Sequence, residues 1–187
     1  MDRKGFNRRG FLKLAGGAVA SGVAMPSWAR TQPGRQQEQE RALKLLNLHT
    51  GEHLEAPYWL EGEYLDEGLV QINRVLRDHR NGEIFEMDLQ LLELLHEVQQ
   101  QLGAKQPFHV ISGYRSPATN QMLRQHSAGV AKKSLHMEGK AIDIRLPGVA
   151  LRDLKVGALE LGRGGVGYYP GSEFVHLDVG RTRFWKG

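Results

Sequence analysis

The sequence predicts an α+β fold, and three observations carry that prediction. Segments with apolar residues at helical spacing are interspersed with short runs that alternate apolar and polar. Turn signals join some of those runs in pairs, as antiparallel strands require. Strand and helix do not follow one another in the regular βαβ order of a parallel sheet. The length of 187 residues suits one domain with a short appendage, and no internal repeat is visible.

The appendage comes first. Arg3, Lys4, Arg8, Arg9 and Lys13 stand against Asp2 alone, an apolar stretch runs from Leu14 to Met25, and Ser27-Trp28-Ala29 offers small residues for cleavage after Ala29. Residues 1–29 therefore read as an export signal. Gly16, Gly17 and Gly22 dilute a run already shorter than the ~20 apolar residues a spanning helix needs. Arg8-Arg9-Gly10-Phe11-Leu12-Lys13 resembles the twin-arginine signal, with Asn7 where Ser or Thr is usual. That resemblance implies export of the folded chain to the periplasm. No cysteine follows the apolar run, so a lipid anchor is not expected. Residues 30–42 are polar and read as a linker, which leaves 43–187 as the domain.

Within the domain, Leu43–Leu48 and Leu54–Trp59 flank the turn Thr50-Gly51-Glu52 and predict a hairpin. Asp66 predicts the cap of a helix whose Leu69, Ile72, Val75 and Leu76 share a face. Asp88 predicts the cap of a second helix, with Leu91, Leu92, Leu95, Val98 and Leu102 inward and Gly103 at its end. Phe108–Ile111 reads as a short strand after Pro107, and Pro117 opens a helix to about His126. Beyond the loop Ser127–Ser134, a strand starts after Gly139, with Ile142 and Ile144 on one face and Ala141 and Asp143 on the other. Val149–Leu161 reads as a further amphipathic helix closed by Gly162. Gly165–Tyr169 and Phe174–Val179 read as strands joined at Pro170-Gly171.

Charge and cysteine count remove several function classes. The formal net charge of +4 resides in the leader, because residues 30–187 hold twenty basic and twenty acidic side chains. A neutral body without a basic run excludes non-specific nucleic-acid binding. With no cysteine, disulfides, zinc–thiolate sites and cysteine nucleophiles are excluded. A metal here would have to be held by His, Asp and Glu.

A carboxylate inside a strand is costly to bury unless a metal or an arginine pairs with it, and Asp143 poses that choice. In Gly171–Gly180 the period of two puts Phe174, His176 and Asp178 on one face and Val175 and Leu177 on the other. If the two strands are neighbours, His136, Asp143 and His176 converge. Two imidazoles and one carboxylate form a hydrolytic zinc set with a fourth position for water. His49, His53, His79, His96, His109 and His126 read as structural or solvated. Arg115 carries a fork suited to a carboxylate, either on a substrate or in a salt bridge that holds its loop to the next helix. Lys132 and Lys133 read as solvated or as an aid to substrate binding. One of Tyr168 and Tyr169 belongs in the core, and the other can line a cleft.

Ser134-x-His136-x-x-Gly139-x-Ala141-x-Asp143, followed by a histidine on a later strand, resembles the lysostaphin, D-Ala-D-Ala metallopeptidase and Hedgehog zinc superfamily. The stretches 47–52, 111–116, 129–134, 164–170 and 174–178 narrow the resemblance to murein endopeptidase K and its relatives, over essentially the whole chain. It implies a small antiparallel sheet flanked by helices, with one Zn²⁺ on His136, Asp143 and His176. It also implies a periplasmic endopeptidase acting on peptidoglycan stem peptides, with a leaning to links between two diaminopimelate residues. Two other readings are a D-Ala-D-Ala carboxypeptidase and a catalytically silent zinc-stabilised cell-wall binding module. Carboxypeptidase-like relatives place a glutamate where Glu173 stands, whereas closer relatives share His-x-Asp and so point to Asp178. Glu173 lies on the wrong face unless a bulge at Gly171-Ser172 re-aims it. Asp178 shares the face of His176, and it also suits orienting that ring from behind. The general base is then Glu173 or Asp178, with Arg115 anchoring substrate or polarising the carbonyl. A monomer without a membrane anchor after cleavage is expected, with the twin-arginine translocase as its export partner.

Overall fold

The computed structural model describes residues 40–127 and 129–187; the expected export signal and residues 30–39 of the expected linker lie outside them. The hairpin forms as its alternation dictates. Strand β1 (Glu40–Asn47) pairs antiparallel with β2 (His53–Leu60), which sends Leu43, Leu45, Ala56 and Tyr58 into the core. Strand β1 begins at Glu40, three residues ahead of the expected domain boundary, because Glu40 and Arg41 still find partners in Leu60 and Trp59. A two-residue strand, β3 (Glu63–Tyr64), adds to β2 and is too short to show any period in sequence.

Helix α1 (Asp66–Val75) buries Ile72 and Val75, as the spacing predicts, but Asp66 is not its cap. Leu65 occupies the capping position without a side-chain bond, and Asp66 is the first helical residue. There its charge, with that of Glu67, favours the positive end of the helix dipole. Asp88 does cap α2 (Leu89–Gln101), accepting a hydrogen bond from the Gln90 amide at 2.9 Å. Strand β4 (Phe108–Ser112) follows, then α3 (Pro117–His126), capped by Ser116 through the Thr119 amide. A 3₁₀ turn (Leu135–Glu138) precedes β5 (Ala141–Arg145), and α4 (Leu151–Leu161) leads to β6 (Gly165–Tyr169), β7 (Phe174–Asp178) and β8 (Arg183–Lys186).

All eight strands form one sheet in the order β3-β2-β1-β4-β5-β7-β6-β8. The α+β class holds, with a sheet larger than expected and mixed rather than antiparallel. The β1–β4 and β6–β8 pairs are parallel. A parallel neighbour needs a long crossover, and α1 and α2 supply one between β1 and β4. One face of the sheet carries Phe108, Val110, Ile142, Ile144, Val175 and Leu177, which pack with Leu91, Leu92, Leu95, Leu154 and Ala158 of the helices. The other face is left for polar residues, and Asp143, His176 and Asp178 stand on it. Among the described residues no helix is long and apolar enough to cross a membrane.

Candidate metal centre

Strands β5 and β7 are direct neighbours, with Asp143 opposite His176 in register. The 3₁₀ turn brings His136 to the same place. Its end is fixed by Gly139 at φ 66°, where a Cβ would stand 2.4 Å from the Glu86 carbonyl oxygen. Both the left-handed backbone and the close approach demand glycine. The Arg115 amide donates to the His136 carbonyl at 3.1 Å and ties the turn to the end of β4.

Three side-chain atoms meet there. His176 Nδ1 lies 2.8 Å from Asp143 Oδ1, His136 Nε2 lies 3.3 Å from the same oxygen, and the two nitrogens are 3.2 Å apart. Among the described residues this is the one group of three such donors.

The far side of each imidazole decides what these atoms can do. His136 Nδ1 is 2.7 Å from the Gly113 carbonyl, which only accepts, so Nδ1 carries the hydrogen. His176 Nε2 is 3.0 Å from Asp178 Oδ2, a carboxylate oxygen, so Nε2 carries the hydrogen there. His136 Nε2, His176 Nδ1 and Asp143 Oδ1 are then three acceptors aimed at one point. They repel unless a positive charge sits between them, and a divalent cation with borderline-soft preference suits this N₂O set.

Electrostatics agree. Burial opposes the charge on Asp143, yet positive charge shared with the His136 and His176 rings outweighs it and holds the carboxyl ionised far below its usual range. Burial keeps His136 neutral by lowering its pKa. Burial also works against charging His176, but Asp143 and Asp178 on either side raise its pKa, so the site pulls in positive charge.

Asp178 is fully buried and lies behind the His176 ring, away from the ligand atoms. Its Oδ1 accepts from the amides of Gly165 (3.2 Å) and Gly180 (2.8 Å) and from Arg183 Nη1 (3.0 Å). Its Oδ2 accepts from His176 Nε2 and from Arg183 Nη2 at 2.6 Å. Glu173 is the opposite case. Its carboxylate is exposed and pairs with Arg145 Nη1 at 3.6 Å. Its φ of 54° is a left-handed conformation unusual outside glycine. Arg145 lies two residues from Asp143 on β5, and together with Glu173 it lines a cavity walled by Leu146, Val149, Leu151 and Tyr168.

Arg115 reaches the centre from the β4–α3 loop. Its Nη2 is 3.7 Å from Asp143 Oδ2 and 3.4 Å from Ser112 Oγ, while its Nε is buried with no hydrogen-bond partner among the described residues. One oxygen of Asp143 thus faces the imidazoles and the other faces Arg115. Lys132 and Lys133 are exposed. Tyr168 packs on the core, and Tyr169 stacks on Phe174 at 4.5 Å between ring centres.

Two neighbours of the centre escaped the sequence reading. Arg183 and Trp185 come from edge strand β8, and the Trp185 ring lies 5.2 Å from that of His176. The glycines at alternate positions of β6, Gly165 and Gly167, were the available signal, because glycine inside a strand marks a close approach.

The family described as Peptidoglycan L,D-endopeptidase MepK matches residues 35–185. The peptidoglycan L,D-endopeptidases MepK of Escherichia coli K12 and of Shigella flexneri are each 42% identical to this chain over 186 residues, covering 99% of it and 100% of the relative. A protein of Haemophilus influenzae named probable peptidoglycan L,D-endopeptidase MepK is 39% identical over 183 residues, covering 97% of this chain and 96% of the relative. No solved structure matches.

Proposed function

The chain belongs to the peptidoglycan L,D-endopeptidase MepK family, and on that premise we propose that it hydrolyses peptide cross-links of peptidoglycan with Zn²⁺ held by His136, Asp143 and His176. The observation that carries the reading is the convergence of three acceptor atoms, with both imidazole rings fixed from behind. Zn²⁺ in that position supplies Lewis-acid polarisation of a carbonyl and acidification of water toward neutral pH.

The remaining roles fall to the chain itself. Glu173, exposed and weakly engaged, moves the proton from the attacking water to the leaving amine. Asp178 is unsuited to that task, since both its oxygens are occupied behind the ring, and it orients His176 instead. Arg115 faces the scissile group with a guanidinium that already neutralises one oxygen of Asp143, and it stabilises the oxyanion or seats a substrate carboxylate. The bond cleaved is the link between two diaminopimelate residues, in keeping with the L,D specificity in the relatives' names. The leader residues Arg8 and Arg9 support export through the twin-arginine translocase to the periplasm, with the signal cleaved near Ala29.

The test is digestion of cross-linked peptidoglycan by the purified protein, with and without chelator, followed by separation of the muropeptides. Loss of cross-linked dimers, blocked by chelator and restored by zinc, is the expected outcome. Dimers that survive every condition while the protein holds one zinc per chain would sink the proposal.

A further inference from the structure

We propose that Arg183 is a positioning residue for the hydrolytic centre: it reaches across β6 to clamp Asp178, and through Asp178 it fixes the orientation of the His176 ring. The role rests on the reading that His136, Asp143 and His176 hold Zn²⁺.

Strand β8 pairs parallel with β6, with Arg183 beside Gly165 and Trp185 beside Gly167. Strand β7 pairs with the other edge of β6 and sets Asp178 opposite Gly165 and His176 opposite Gly167. Two side chains of β8 can therefore meet two of β7 only by passing over β6, and β6 has no side chain at either crossing. A Cβ at Gly165 would stand 2.4 Å from both Arg183 Nη1 and Asp178 Oδ2, and one at Gly167 would stand 2.7 Å from the Trp185 ring. Glycine at both positions weakens a strand, and the passage of these side chains is what it permits.

The contact so formed is a forked one. Arg183 Nη1 and Nη2 donate to Asp178 Oδ1 and Oδ2 at 3.0 and 2.6 Å, the parallel geometry that fixes a carboxylate in its plane. The amides of Gly165 and Gly180 complete Oδ1, so Oδ2 is held toward His176 Nε2. Trp185 braces the arrangement. The Arg183 guanidinium lies 4.8 Å over its ring, its Nε1 donates to the Tyr169 hydroxyl at 2.8 Å, and the ring is tilted 54° to that of His176. With the carboxylate unable to turn, Nε2 keeps its hydrogen and Nδ1 stays aimed at Asp143.

Competition against a chromophoric zinc chelator, together with kcat and KM on purified muropeptide dimers, tests the role in the full chain. Arg183→Gln is expected to weaken zinc binding about 10-fold and to lower kcat with KM unchanged, the low end of the range for losing an outer partner of a metal ligand, because Asp178 itself remains behind His176. In an Asp178→Asn background the same change is expected to add less than about twofold, since the two residues act as one unit. Arg183→Lys, which keeps the charge and loses the fork, is expected to fall between the parent and Arg183→Gln, and it decides the matter by the same cycle if Arg183→Gln does not fold. Zinc affinity within about twofold of the parent, an equal effect in both backgrounds, or a change confined to KM would overturn the role. Tight zinc binding in the parent with unaffected variants strikes Arg183 alone, whereas a parent that binds no zinc removes the centre and this role with it.

Discussion

Among the described residues His49 with His79 and His136 with His176 are pairs of histidines in ring contact, and the pairs differ in everything that matters for metal binding. His49 and His79 stack face to face, 3.8 Å between ring centres and 11° between planes. His136 and His176 meet edge-on, 5.0 Å apart and at 65°, with a carboxylate between their nitrogens. Stacking turns the lone pairs of the first pair outward in parallel planes, whereas the edge-on pair turns two of them toward a common point. The first pair raises the electrostatic cost of a proton: burial, then His49 and Arg80, lower the His79 pKa to about 4. In the second pair His176 is flanked by Asp143 and Asp178 and draws positive charge despite its burial. Proximity of two imidazoles is therefore uninformative by itself; orientation and the partner on the far nitrogen decide.

The strongest way to break the contrast is to remove a member of the second pair or its carboxylate. His136→Ala or Asp143→Ala should take zinc from one per chain to none and cut cross-link hydrolysis about a thousandfold or more, as loss of several kcal/mol of transition-state stabilisation requires. Metal analysis and muropeptide separation read both. Glu173→Gln sharpens the contrast by separating metal holding from proton transfer. It should retain one zinc per chain while activity falls by ~10²–10⁴-fold, the usual range for a general acid–base.

The first pair should speak only through stability. The folded chain keeps His79 neutral down to about pH 4, whereas the unfolded chain takes up that proton near 6.5. Between those values the unfolded state binds more protons, so this contribution is complete above about pH 6.5 and is lost as pH falls through about 4. Urea midpoints near pH 7 and pH 4.5 should therefore differ less in His79→Gln than in the parent. The smallest effect is expected from removing the stack altogether. A His49→Ala/His79→Ala protein should keep its zinc and its activity within about twofold, with stability at neutral pH lower by under about 1 kcal/mol. Loss of zinc in that variant would abolish the distinction drawn between the pairs.

Much of strand β7 was legible because its alternation is local. Phe174, His176 and Asp178 share a face for the same reason that Val175 and Leu177 are buried. The Asp88 cap and the helix opened by Pro117 belong to the same local grammar. What escaped depends on pairing between distant segments. Nothing within β1 says that its second neighbour is β4, in parallel, or that β8 closes the far edge. Asp66 was misplaced because cap and first-turn acid look alike in sequence, and only the backbone at Leu65 separates them. The roles of Glu173 and Asp178 turn on their partners. Arg183 occupies Asp178, and Arg145 barely holds Glu173, and neither partner could be read from alternation.

The three proposed ligands do not arrive together along the chain. His136 and Asp143 lie within one short turn-and-strand segment, whereas His176 comes from β7, which follows α4 in the chain and lies between β5 and β6 in the sheet. The three atoms therefore converge only where β5 and β7 are paired. The centre is a property of the whole sheet and of neither segment alone.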